Sequence, residues 1–241
     1  MWSFILEHLP DYLHGAWVTI QLTAFSCAIG FIIAIAAALM RRSSQRSLYA
    51  VSTAYVFFFR GTPLLAQIFL IYYGASQFRT ELDAVGLWTF FREPWFCALF
   101  TLTLNTGAYT CEILRGAIDS IPRSEIEAAI ALGIRRWQRL FLLILPRAIS
   151  VAWPTYTNEV VYQIQATSLV SIITVMDITG VARVAGSRYF AFYEAFGLAA
   201  VMYLILVYGF LFVARRVEKR LHAHLHEGAG EREAVPVAVR R

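Results

Sequence analysis

Apolar residues fall in five long runs, at 15–40, 48–73, about 95–117, about 148–175 and 191–214, each bounded by charged residues. Every run exceeds the ~20 residues that a helix needs to cross a hydrocarbon core. In lipid, backbone N–H and C=O groups must be satisfied inside the protein, which favours helices. The pattern predicts an all-α, polytopic membrane protein, with one transmembrane domain over residues 1–221 and five transmembrane helices. The stretch 222–241 is polar and rich in small residues, and it predicts a disordered tail.

Composition supports this class. Of 241 residues, 59% are hydrophobic and 15% charged, against about 25% charged in an ordinary soluble domain. The net charge of +5 is spent unevenly. Arg41, Arg42 and Arg46 follow the first run, Arg123, Arg135, Arg136, Arg139 and Arg147 the third, and Arg215, Arg216, Lys219 and Arg220 the fifth. The opposite connections hold Arg79, Arg92, Arg183 and Arg188, diluted by acids. By the positive-inside rule the N-terminus is expected outside and the C-terminus in the cytoplasm. Glu7 and Asp11 before the first run are the reverse of a basic leader, so a retained span is expected there. Trp2, Tyr12, Trp17, Tyr72, Tyr73 and Trp95 sit where interfacial aromatics are expected. Excess basic charge on loops gives no support to nucleic-acid binding. Cys27, Cys97 and Cys111 lie apart in apolar runs and are expected to be packing residues. His222, His224 and His226 alternate, but no carboxylate or cysteine cluster completes a site, and no metal is assigned.

The connection 121–146 reads as two short helices. Ser124 with Glu127 three residues on has the form of a capping box. A helix through Ile126, Ala128, Ala129 and Leu132 would end at Gly133, which suits a left-handed turn. A second helix carries Trp137, Leu140, Phe141 and Ile144 beside Arg135, Arg136 and Arg139, an amphipathic pattern that Pro146 and Pro154 lead into the fourth run.

Glu127-Ala128-Ala129, three residues, Gly133, nine residues and Leu143-Ile144-Leu145-Pro146 resembles the EAA motif of type I ABC-importer permeases; Leu143 stands where that pattern has isoleucine. Phe59-Arg60-Gly61-Thr62-Pro63-Leu64, Leu104-Asn105-Thr106-Gly107-Ala108-Tyr109-Thr110, Glu112-Ile113-Leu114-Arg115-Gly116-Ala117 and Tyr156-Thr157-Asn158-Glu159-Val160 are similar to the polar amino-acid branch, nearest to the M-type permeases of histidine and opine importers. The resemblance covers the chain up to about Leu221. It implies that 121–146 is a cytoplasmic coupling loop in which Ser124, Glu127, Ala128, Ala129 and Gly133 meet an ABC ATPase dimer.

Polar groups at membrane depth are costly, and each should face protein or a watery path. Arg60 lies midway in the second run, where Gly61, Thr62 and Pro63 should break or kink the helix; it either binds solute, or snorkels or pairs with a neighbouring acid for packing alone. Asn105, Tyr109 and Glu112 share a helix face. Glu112 has local partners in Arg115 and, beyond it, Asp119, whereas Asn105 has none and bonds across helices or meets solute. Asn158 and Glu159 are adjacent, so one can line a path while the other packs. Arg60 with Thr62 forms one candidate site, for a carboxylate, and Glu159 with Asn105 another, for an ammonium; alternatively Arg60 and Glu159 neutralise each other. The candidate substrate path is thus Arg60, Gly61, Thr62, Asn105, Tyr109, Asn158 and Glu159.

The expected function is the membrane subunit of an ATP-driven importer for polar, above all basic, amino acids or opines. No Gly-rich phosphate loop ending in Gly-Lys-Ser/Thr is present, so ATP and Mg are expected on the partner ATPase and no cofactor on this chain. The resemblance also implies a periplasmic solute-binding protein and a second permease subunit, either a related chain or a second copy, surrounded by membrane lipid. The alternative class is an ion-coupled secondary amino-acid transporter, which also uses broken helices and buried acids. An enzyme is not expected, since the spans hold no nucleophile–base pair.

Overall fold

The computed structural model describes the backbone of residues 2–230 and the side chains of residues 7–219. Among these the regular structure is helical. Helix α1 spans Trp2–Arg41, and α2 (Arg46–Gly61) and α3 (Leu64–Gln77) share the second apolar run. The short α4 (Arg79–Ala84) and α5 (Trp88–Phe91) lead to α6 (Pro94–Asp119). After α7 (Arg123–Ala131), the short α8 (Arg136–Arg139) passes through a π-helical turn at Leu140–Ile144 into α9 (Leu145–Ala166). A 3₁₀ stretch, Thr167–Ile173, precedes α10 (Ile178–Tyr189) and α11 (Phe192–Gly230).

Among the described residues three helices are long and apolar enough to cross a membrane, Glu7–Arg41, Arg136–Ile173 and Phe192–Lys219, with a fourth crossing if the bent pair α2 and α3 counts as one. The expected five spans therefore meet two differences. First, the run 48–73 is not one rod: α2 and α3 meet at 106°, because Thr62 and Pro63 are extended and a residue before proline is driven out of the helical region. Second, α6 has the length, 26 residues, but is not among the sufficiently apolar helices. Its polar residues Thr101, Thr103, Asn105, Thr106 and Thr110 are buried. It is surrounded by protein, packing chiefly on α1 and α9 with α2 and α3 alongside, so its side chains need not match lipid.

The first span starts earlier than expected. Tyr12 is fully buried and donates its hydroxyl to Ala195 O at 2.7 Å, so it ties α1 to α11 and is no interfacial anchor. Helix α10, unforeseen in the sequence, fills the space between them. Asp177 caps it by accepting from Gly180 N–H at 2.8 Å and also accepts from Tyr203 Oη. The three cysteines are buried and unlinked. Helix α11 continues to Gly230, into the stretch 222–241 expected as a tail; residues 231–241 and the side chains of His222, His224 and His226 lie outside the described residues.

What allows α1 and α6 to pack so closely is a pair of glycines. An added Cβ on Gly30 would stand 2.7 Å from Thr106 Cγ2 and 3.1 Å from Thr103 O, and one on Gly107 would stand 3.2 Å from Gly30 O. Below that crossing, Ala34, Ala37 and Ala38 of α1 interleave with Cys111, Leu114, Ala117 and Ile118 of α6. Small residues at such seams let backbones approach, which is the main source of helix association without a hydrophobic drive. Gly30→Val should force the helices apart and cost about 1–3 kcal/mol, as overpacking does. The check is the melting midpoint of the detergent-solubilised protein by size-exclusion fluorescence; an unchanged midpoint would mean the seam tolerates separation.

Candidate functional site

The break between α2 and α3 leaves the carbonyls at the end of α2 without helical partners, and the structure supplies them from nearby side chains. Thr62 Oγ1 donates to Phe58 O at 2.7 Å. Gln67, one turn into α3 and only 2% exposed, donates to Phe59 O at 2.9 Å and to Thr62 O at 3.1 Å and Thr62 Oγ1 at 2.8 Å. Asn105 reaches across from α6, donating to Phe59 O at 3.2 Å and Gln67 Oε1 at 3.0 Å. Asn105 thus makes the cross-helix bond that was one of its two expected roles. Gln67 was missed, although a lone glutamine a few residues after Pro63 in an apolar run is a legible signal.

Arg60 stands at the C-terminal end of α2 beside α6. Its guanidinium lies 5.2 Å from the Tyr109 ring centroid and 3.7 Å from Glu112 Oε2. With Gly61, Phe57 and Arg41 these residues line a cavity of about 410 Å³. Glu112 is more than a rung in a local ladder. It also pairs with Arg41 from α1, and with Arg115 at 2.9 Å, so three arginines converge on one carboxylate. Asp119 adds pairs to Arg42 and Arg115. The expected Arg60–Glu159 neutralisation is not what Arg60 does in this structure: its ion pair is to Glu112.

Glu159 on α9 is 9% exposed and accepts from Thr106 Oγ1 at 3.1 Å. Its neighbour one turn on, Gln163, donates to Ser26 Oγ at 2.9 Å and Leu102 O at 3.3 Å, so a polar band joins α1, α6 and α9. The expected Glu159–Asn105 site is not assembled, because Asn105 turns to the α2–α3 break while Thr106, about 100° around the helix, turns to α9. Asn158 is exposed with Tyr162 and Gln165, spaced by four and three on one face. The seven candidate path residues therefore form three groups: Arg60, Gly61 and Tyr109 on the cavity; Thr62 and Asn105 in the clasp; Asn158 and Glu159 on α9, the first exposed and the second buried.

The connection 121–146 departs from its expected caps. Helix α7 begins at Arg123 with Pro122 as its N-cap residue, and no side chain caps it, so Ser124 and Glu127 form no capping box; the helix starts two residues sooner than a Ser124 cap would place it. Gly133 does take the left-handed conformation, φ 73. Ile134 N–H bonds to Ala129 O and Gly133 N–H to Ile130 O, a Schellman ending. Ser124, Glu127, Ala128 and Gly133 are exposed, while Ala129 is buried. Ile121 and Ile126 hold α7 against the α1–α6 core, and Arg147 meets Glu125 at 3.0 Å. The second expected helix does not end at Pro146. Pro146 follows directly on the π-helical turn, where the regular α-helical ladder is already interrupted, and α8, the π turn and α9 run on without a stop.

Long apolar helices around a buried polar band, with an exposed α7 beyond the bundle, define a polytopic membrane permease. The family described as the binding-protein-dependent transport system inner membrane component matches the chain over residues 30–223. This chain belongs to that family and is a permease subunit of an ABC importer. It is 42% identical over 228 residues to the nopaline transport system permease protein of Agrobacterium fabrum, covering 95% of each. It is 38% identical over 211 residues to the histidine/lysine/arginine/ornithine transport system permease protein of Escherichia coli, covering 88% of this chain and 89% of that one. A chain in the crystal structure of an amino acid ABC transporter with histidines superposes with a TM-score of 0.78 at 28% identity, covering 90% of this chain and 96% of the other. The family places the chain with binding-protein-dependent importers, against the ion-coupled alternative.

Glu112→Gln should leave Arg41, Arg60 and Arg115 facing one neutral amide and destabilise the protein by about 1–3 kcal/mol. The yield of monodisperse protein and its melting midpoint read this directly. If Glu112→Gln behaves as the parent does, the three-arginine convergence contributes nothing to the fold.

Proposed function

We propose that this chain moves a polar, basic amino acid or an opine across the bacterial inner membrane, its N-terminus outside and its C-terminus in the cytoplasm. It works with a second permease subunit, an ABC ATPase dimer and a periplasmic solute-binding protein. The observation that carries the solute class is the extent of the likeness to the nopaline and histidine/lysine/arginine/ornithine permeases, over 95% and 88% of this chain. The second permease is a related chain in this reading. ATP and Mg belong to the partner ATPase, and this chain converts that partner's closure into a change of access.

In this reading α7 is the coupling helix, with Glu127, Ala128 and Gly133 on the exposed side that meets the ATPase and Ser124 beside them. Its hold on the bundle through Ile126, Ala129 and the Glu125–Arg147 pair carries motion into α9. Because α8, the π turn and α9 are continuous, displacement at Arg136 moves Asn158 and Glu159 with it. The ATPase need only bind the two states of the bundle unequally for that motion to be driven. A carboxylate at Glu159 compensates an ammonium or a cationic side chain in passage, and Arg60 with Tyr109 at the cavity meets the solute carboxylate.

Glu159→Gln keeps the size and the bond to Thr106 but deletes the charge. Reconstituted with its partners, the variant is expected to assemble and keep basal ATPase activity while uptake of lysine or arginine falls on the order of tenfold, about 1.4 kcal/mol. Equal uptake of basic and neutral solutes by variant and parent would remove Glu159 from the path. Gly133→Val tests the loop separately. A β-branched residue at positive φ is strained by roughly 1–2 kcal/mol, so the subunit should insert normally yet co-purify less ATPase. Undiminished co-purification and uptake would show that the ATPase does not read the α7 ending.

A further inference from the structure

Between α1, α9 and α11 lies a groove of about 650 Å³ whose walls are almost wholly apolar, formed by Cys27, Val160, Ile164, Gly209 and Val213 among others. It opens along α11, the span least covered by the rest of the chain: only 6% of its apolar window is buried. From Trp153 to Ile164 the lining advances about 16 Å along α9 at 1.5 Å per residue, roughly half of a ~30 Å hydrocarbon core. That is the depth of one leaflet, whereas a partner's transmembrane helix would need a surface through both. At one end Trp153 lines the groove and its Nε1 donates to Ala214 O at 3.3 Å. Just beyond it stand Arg215, Arg216 and Lys219, all exposed. Gly209, Val213 and Arg216 are spaced by four and three and share one face of α11, and the Arg216 guanidinium lies 4.0 Å from the Phe212 ring centroid. An apolar slot one leaflet deep thus ends in a basic cluster.

We propose that this groove is a binding site for one acyl chain of an anionic phospholipid, with the phosphate headgroup held at Arg215, Arg216 and Lys219. Charge complementarity selects the lipid. Each basic side chain at a membrane surface favours an anionic headgroup, and α11 carries its exposed basic cluster just past the Trp153 end of the groove. The site depends on no assignment of the solute path, so it stands or falls separately from the transport reading.

Trp153 lines the groove and is its own reporter. The assembled importer is reconstituted into phosphatidylcholine vesicles containing a small fraction of phosphatidylglycerol or of phosphatidylcholine whose acyl chains carry bromine, a contact quencher. The Trp153 signal is the difference between parent and Trp153→Phe. Brominated phosphatidylglycerol is expected to occupy the groove about fivefold better than brominated phosphatidylcholine, the order of preference that one basic side chain contributes. Arg216→Gln should abolish most of that preference. Gly209→Phe should abolish the quenching itself in an importer that still assembles, since a Cβ at Gly209 meets nothing within 4 Å. Should Trp153→Phe fail to assemble, the difference between parent and Gly209→Phe gives the same reading. Equal quenching by the two lipids in the parent, or quenching undiminished by Gly209→Phe, overturns the proposal. So does efficient cross-linking of Gly209→Cys to the other permease subunit, which would fill the groove with protein.

Discussion

Close contact of α1 with α6 at Gly30 and Gly107 is the constraint on which the rest of the bundle depends. The two backbones approach so nearly that a methyl on either would meet the other chain. Everything on α6 is then brought within reach of three other elements: Thr106 meets Glu159 on α9, Asn105 meets the end of α2, and Glu112 meets Arg41 at the end of α1. A bilayer offers no hydrophobic drive for helix association, so close van der Waals packing and a few well-made hydrogen bonds must hold such a bundle. The alanines on α1 and α6 provide the first, and the threonine, asparagine and glutamine side chains provide the second.

The same economy explains the broken helix. A break at membrane depth exposes carbonyl groups, and each left unsatisfied there costs several kcal/mol. Thr62, Gln67 and Asn105 together cover the carbonyls of Phe58, Phe59 and Thr62. The 106° corner therefore survives because the polar residues around it serve the backbone. Polar side chains in a span need not all serve solute.

Much of this was legible in the sequence where the signal is local. Pro63 marked the corner, Gly133 marked the left-handed turn, and the apolar runs marked the ends of α6 and the start of α11 to within a residue or two. Pairings between helices were not legible, because residues far apart in sequence meet only once the helices have packed. Glu112 has Arg115 in plain view three residues on, and nothing in its neighbourhood announces Arg41, 71 positions away. Ser124 misled for a different reason. Two helix-start signals compete within three residues, and Pro122 prevails over the capping serine. Helix α10 escaped notice since it is short, half polar and held by Asp177 and Tyr203 in place of a long apolar run.

Adjacent residues on a helix stand about 100° apart, and Asn158 and Glu159 are adjacent on α9, the amide outward and the carboxylate inward. A turn of α9 about its own axis by about 100° puts one of them where the other stood. The helix therefore works like a two-faced cam: in one setting it offers a surface beside it a neutral amide, in the other an anionic oxygen.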